Sequence, residues 1–443
     1  MRRHAVWPVL IGCASLASCD AVFGLADRPL LSDASAPDAA DLDADAETDA
    51  AAACPPEPSG YQDLATTGCW GTFDTAMVGV TVPGFEGAAF DGRYLYLVPN
   101  PGAVVARYDT SLPFSSSASW LTFDVGQALH ISPTFAGAVF DGRSVIFAPA
   151  TGPTYVRYDT QSGFTDATSW SDFDPSATST VVTMADGFAG GTFDGRYSYF
   201  VPNSSHWAFK YDTTAAFTDV PEWYAHNIVG VGDVSPQFFG AAYDGRYVYF
   251  APGSLAAETL GILIRYDTKG DYGLAASFDT FDMTTVSKNA AGFAGAAFDG
   301  RYVYFVPSGL AGESAIVTRF DSHGTLGAAS SWAAFDVSSL PSGAGHFFGA
   351  AFDGRYLYFV PWGTTSSGAN GRLARYDTTS AFTAGSSWST FDTNLVQAAS
   401  FQGSAFDGQY VYFAPQSGTV VARFRARSTS KMPALPGFHG SFF

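Results

Sequence analysis

The sequence predicts an all-β fold: a seven-bladed β-propeller with four antiparallel strands per blade. Three observations predict it. First, Asp-Gly pairs at Asp91, Asp141, Asp194, Asp244, Asp299, Asp353 and Asp407 mark seven copies of one segment, 50, 53, 50, 55, 54 and 54 residues apart. A regular period of this size indicates a propeller, solenoid or array. Second, each period holds four strand signals separated by turn signals. Third, the last copy lacks its fourth strand, and a stray fourth strand, Trp70-Gly71-Thr72-Phe73-Asp74, stands ahead of the first copy. A ring closed by that N-terminal strand leaves no open edge at the seam, whereas a solenoid needs end caps and gives no reason for the permutation.

Composition agrees. Charged residues make up 14% of the 443-residue chain while aromatics reach 16% and Gly numbers 47, a balance suited to short strands and tight turns. The repeats run without a composition shift, which favours one large domain over two or three smaller ones. A net charge of -19 argues against nucleic acid or anionic lipid surfaces as partners, since both require clustered Lys and Arg.

Taken in order, Arg2 and Arg3 precede an apolar run from Ala5 to Gly12 that continues to Leu16-Ala17-Ser18-Cys19. This is the layout of a signal peptide over 1–18, too short to span a membrane as a mature helix. The four residues ending in Cys19 resemble a bacterial lipobox, which implies lipidation of Cys19 and anchoring of an exported chain to a membrane of the cell envelope. Leu10-Ile11-Gly12-Cys13 is a second match with a shorter apolar run; a plain secretory signal is the alternative. Residues 19–58 then form an acidic tether rich in Ala, Asp and Pro. Asp33, Asp38, Asp41, Asp43, Asp45, Glu47 and Asp49 occur with no basic residue between them, and such a segment buries too little apolar surface to offset its ordering entropy. Cys54 and Cys69 are the only cysteines beyond the signal region; in an exported chain they are expected to form a disulfide, and no Cys or His cluster suggests metal instead.

The propeller is expected over 59–425, with a C-terminal tail at 426–443. In the first copy the strands read Phe85 to Phe90, Arg93 to Val98, Val104 to Tyr108 and Trp120 to Asp124. Asp91-Gly92 separates the first two by two residues, the signal for a type I′ hairpin with positive φ at both central positions. The first strand opens with Gly and Ala, as in Gly87-Ala88-Ala89, which suits strands crowded near the propeller axis. The second is apolar on both faces, as required of a sheet covered on each side. The third ends in Arg-Tyr-Asp-Thr or a close variant, and Asp followed by Thr or Ser stops a strand by bonding nearby backbone. The fourth carries Trp-x-x-Phe-Asp, with Phe278 replacing Trp in one copy and Trp223-Tyr224-Ala225-His226-Asn227 departing most.

The period and four-strand unit resemble kelch-type propeller repeats over about 355 residues (Trp70 to Phe424), although the kelch double glycine after the second strand is missing. Phe348-Gly349, the following Asp353-Gly354-Arg355 and Pro361 are also similar to integrin-type FG-GAP repeats. Those repeats hold calcium through spaced Asp or Asn ahead of the Gly. Here Ala and Phe or Tyr occupy those positions, so the oxygen ligands a 6 to 8 coordinate cation needs are lacking. No cofactor or metal is expected, and His130, His226, His323 and His346 show no ligand spacing.

Residues that recur in every blade are expected to be scaffold, since a catalytic site needs a single constellation. Arg301 and its equivalents are expected to pair with an Asp of the third or fourth strand, each exposed pair contributing about 0–1 kcal/mol, whereas truncating a core ring such as Phe298 is expected to cost about 3–5 kcal/mol. Function is expected where the copies differ. Turns alternate ends in an antiparallel blade, so the loops after strands two and four share the face opposite the Asp-Gly turns. That face offers His206, Trp207, Glu258, Glu313, Trp362 and Asn370 as ligand-binding candidates; no catalytic residue stands out. The leading expectation is a monomeric, non-enzymatic binding module for protein or glycan. A secreted propeller glycosidase or lyase with acids in the channel, and a structural envelope scaffold, are the alternatives.

Overall fold

The computed structural model describes residues 54–176, 187–204, 206–231, 237–253, 261–309, 315–341, 343–363 and 371–429, all within one compact unit, Thr48–Phe443. They form seven four-stranded antiparallel sheets. Blades 1 to 6 lie over 85–124, 134–173, 188–227, 238–282, 293–336 and 347–392; blade 7 combines 401–425 with 70–74. The seam closes as expected: Trp70 pairs with Phe424 and, through the register, Asp74 with Val420.

The fourth-strand signature explains how blades adhere. Trp and Phe three residues apart on a strand point to opposite faces, so each fourth strand offers Trp to one neighbour and Phe to the other. Phe73 stacks on Trp120 at 4.5 Å, Phe123 on Trp170 at 5.0 Å, Phe281 on Trp332 at 4.4 Å, Phe335 on Trp388 at 4.8 Å and Phe391 on Trp70 at 4.6 Å. Phe173 meets Trp223 at 5.8 Å. The two departures from the signature meet each other: His226 stacks on Phe278 at 4.3 Å, and burial holds its imidazole below the usual pKa. The belt therefore runs through all seven interfaces, and the N-terminal strand supplies both sides of the seam.

Closure extends further upstream than one strand. In six blades, blade 7 among them, the Trp indole N–H donates to a carbonyl six residues earlier: Trp120 donates to Phe114 and Trp70 to Leu64, both at 3.1 Å. Leu64 thus fills the place of Phe114, and Cys69 that of Ser119. Cys54 and Cys69 form the expected disulfide. Residues 60–62 pair with the chain just past the last strand, through Gln62 N–H to Ala426 carbonyl and Ser428 N–H to Gly60 carbonyl, both 2.9 Å.

The inner hairpin differs from expectation in its turn. Asp91 and Tyr94 bracket the loop, with Asp91 N–H donating to Tyr94 carbonyl, so the central residues are Gly92 and Arg93. Only Gly92 has positive φ, 104°, the requirement of a type II′ turn rather than I′. The reason is the Asp carboxylate. It accepts from the Arg93 and Tyr94 N–H groups and from the Tyr96 hydroxyl, taking over the work of the turn's backbone acceptor. The same hydroxyl bond recurs at Tyr199, Tyr249, Tyr304, Tyr358 and Tyr412.

Candidate functional site at the channel mouth

The site begins with a glycine. One glycine of every first strand, the third residue in six blades and the fourth in blade 2, has φ between 77° and 132°: Gly87, Gly137, Gly190, Gly240, Gly295, Gly349 and Gly403. At each of these glycines the register slips: Phe85 faces Pro99 but Ala88 faces Leu97, so three steps on one strand match two on the other. The same slip occurs in all seven blades. This is a β-bulge, a device that re-aims a side chain beside it. Crowding, which the sequence suggested, is also real: a Cβ on Gly137 would lie 2.7 Å from the Gly190 Cα.

The residue before each glycine varies: Glu86, Ala136, Ala189, Phe239, Ala294, Phe348 and Gln402. So does the residue after each second-strand proline: Asn100, Ala150, Asn203, Gly253, Ser308, Trp362 and Gln416. The backbone at the second set is nearly constant. The N–H groups of Asn100, Asn203, Gly253, Ser308, Trp362 and Gln416 donate to carbonyls of Gly84, Gly187, Gln237, Gly292, His346 and Ser400. A common frame therefore presents two rings of unlike side chains. They line a cavity of about 300 Å³ at the channel mouth, on the face opposite the Asp-Gly turns.

The cavity is lopsided. Blades 1 and 7 contribute Glu86, Asn100, Gln402 and Gln416; blades 4 and 6 contribute Phe239, Phe348 and Trp362; blades 3 and 5 add the polar groups of Asn203 and Ser308, and alanines at 136, 150, 189 and 294 leave the space between. Phe239 of blade 4 meets Phe348 of blade 6 edge to face at 5.9 Å, and Phe348 meets Trp362 at 5.9 Å. Gly253 makes room, since a Cβ there would fall on the Phe239 ring. Burial pushes the Glu86 carboxyl above its usual range, and hydrogen bonds from Asn100 and Gln402 pull it partly back. Asn100 is itself held by a 2.8 Å bond to the Phe135 carbonyl, and Gln416 by Ser400 at 3.2 Å.

Of the sequence candidates, Trp362 is in this wall. His206 is exposed and Trp207 opens a third strand; neither lines the cavity. Glu258, Glu313 and Asn370 lie outside the described residues, as does Cys19. Sequence reasoning missed Glu86, Phe239, Phe348 and Gln402. The signal was available: aligned on its glycine, Phe-x-Gly is constant except at x.

The opposite end of the blades is repetitive. Arg93, Arg143, Arg196, Arg246, Arg301 and Arg355 pair with Asp109, Asp159, Asp212, Asp267, Asp321 and Asp377 at 2.6–2.8 Å, as the scaffold reading expects. Among the described residues no group of three His, Cys, Asp or Glu is placed to hold a metal.

Bulged inner strands, the aromatic belt and the seam define a seven-bladed propeller. Comparison with solved structures agrees on the fold. The chain is similar to virginiamycin B lyase from Staphylococcus aureus at 11% identity, TM-score 0.52, covering 80% of this chain and 98% of that one. It is similar to Kuenenia stuttgartiensis hydrazine synthase at 13% identity, TM-score 0.52, with 78% and 97% covered. It is also similar to the Swd1 β-propeller domain of Myceliophteria thermophila at 10% identity, TM-score 0.51, with 79% and 99% covered. At such identities the likeness concerns architecture alone. No family model matches the sequence, and no curated protein does.

Proposed function

We propose that this protein is a non-enzymatic binding module of the bacterial cell envelope, a monomer that presents its channel mouth to a protein or glycan ligand. One observation carries the reading: the cavity joins an aromatic wall to carboxamides and holds one carboxylate, Glu86, among its described lining residues. Hydrolysis of a glycoside needs two carboxyl groups about 5–10 Å apart, and no second one stands in that lining. Glu258 and Glu313 fall outside the described residues. A purely structural scaffold gives no reason for a bulge that aims unlike side chains into a cavity.

The remaining assignments rest on sequence. A signal peptide over 1–18 exports the chain, lipid on Cys19 anchors it to an envelope membrane, and 19–58 tethers the propeller away from that surface. The repeats belong with the kelch-like and FG-GAP-like type. A glycan and protein interaction screen with the full chain tests the function. Saturable binding that Phe348→Ala weakens, without chemical change in the ligand, supports it; turnover of any ligand, or binding indifferent to Phe348→Ala, refutes it.

A further inference from the structure

We propose that the channel-mouth cavity receives an organic ammonium group, with its charge against Glu86 and its alkyl substituents against Phe239, Phe348 and Trp362. The inference rests on the binding-module reading and names the chemistry of its ligand. Three observations lead to it.

The first is an uncompensated acid. Asp residues of the scaffold are met by guanidinium groups, as Asp109 is by Arg93 at 2.8 Å, or by two N–H groups and a hydroxyl, as Asp91 is. Among the described residues, the lining around Glu86 holds no Lys, Arg or His, and the carboxamides of Asn100 and Gln402 are its hydrogen-bonding help. A carboxylate taken out of water without a counter-charge is costly, and its raised pKa records that cost. A bound cation supplies the missing charge.

The second is the arrangement of rings. The Phe239 and Phe348 planes differ by 84°, and those of Phe348 and Trp362 by 49°. Rings set at such angles do not make one flat platform for a sugar ring. Ring faces carry negative quadrupole potential and attract a cation within about 6 Å of their centroids, most strongly when water is excluded.

The third is size. At about 300 Å³, the cavity stands at the low end of ligand pockets. It suits a headgroup or one side chain, not an oligosaccharide. Two sources carry this chemistry: a quaternary ammonium headgroup, or the lysine side chain of a protein.

Calorimetric titration of the full-length protein decides the matter with three probes: choline, Nα-acetyl-lysine amide, and 3,3-dimethylbutan-1-ol, the uncharged isostere of choline. The expected result is that at least one cation binds about tenfold or more tighter than the alcohol, a margin of about 1.4 kcal/mol, and that Glu86→Gln abolishes the margin while the melting temperature is no lower than that of the wild-type protein. The tighter of the two cations identifies the source. If Glu86→Gln fails to fold, Phe348→Leu serves instead, since it keeps an apolar wall and removes a ring face; the cation should then lose affinity about fivefold or more while the alcohol does not. Equal binding of choline and the alcohol, a margin that survives these substitutions, or no binding of either cation overturns the assignment. The binding-module reading is judged separately by the glycan and protein screen.

Discussion

Replacing Asp353 with Asn should make stability less sensitive to pH, and the size of the change follows from burial. Asp353 is the Asp-Gly carboxylate of blade 6 and is fully buried. The N-terminal segment covers this turn, with Tyr61 packed edge-on against Tyr356 at 5.5 Å. Asp353 accepts from Arg355 N–H at 2.9 Å, Tyr356 N–H at 2.7 Å and the Tyr358 hydroxyl at 2.8 Å, yet burial outweighs these bonds and pushes its pKa up to about 6. The folded chain therefore keeps a proton that the unfolded chain, with a pKa near 3.9, has already released. That contribution is fully present below about pH 4 and is lost as pH rises through 6. Asn accepts the same two N–H groups and does not titrate. Between pH 4.5 and 8.0 the wild-type protein should thus lose about 2 kcal/mol relative to Asp353→Asn. Urea unfolding of both proteins at the two pH values measures the gap. Carboxylates held low by arginine, such as Asp321, lose their contribution as pH falls, but they are common to both chains and cancel. A gap that stays constant, or moves the other way, refutes the reasoning.

Other perturbations test the scaffold. Replacing both Cys54 and Cys69 with Ser releases a loop set by a sequence separation of 15, and should lower stability by about 3 kcal/mol in the chain-entropy model, read as a shift in urea midpoint. Arg301→Ala removes a pair whose arginine is 57% exposed and should leave the urea midpoint nearly unchanged, since solvent screens such a pair. Phe305→Ala empties a fully buried site beside Phe293 and Trp332 and should cost about 3–5 kcal/mol; Phe305 is the sharper comparison because Phe298 is only partly buried. The reverse order would contradict the scaffold reading. Gly137→Ala places a Cβ against the Gly190 backbone at a φ of 123°, so a loss of at least about 1–3 kcal/mol is expected; an unchanged melting temperature would show that the bulge is dispensable.

Much of the fold was legible because it rests on repetition. Seven Asp-Gly pairs and a displaced Trp70 strand sufficed for blade number, strand order and seam. The turn type was misread at Asp91-Gly92 because propensity rules describe backbone, whereas here a side-chain carboxylate captures the Arg93 and Tyr94 N–H groups. The site was harder to see. Whether Glu86 faces the channel or a neighbouring blade depends on the bulge at Gly87, and alternation alone cannot reveal a bulge. Phe239 and Phe348 look like the core phenylalanines beside them, Phe238 and Phe347, until that extra residue is counted. Trp362 was found because it opens a strand-two loop on the face where the copies differ.

On the function proposed above, binding belongs to the channel mouth and the Asp-Gly-Arg end is scaffold. Hydrogen–deuterium exchange of the full chain, with and without a saturating partner from the interaction screen, tests it most directly. Protection should concentrate at 84–88, 346–349, 362 and 400–403, where strand-one bulges and post-proline residues surround the cavity. Protection confined to the turns at 91–93, 299–301 and 353–355 would contradict it.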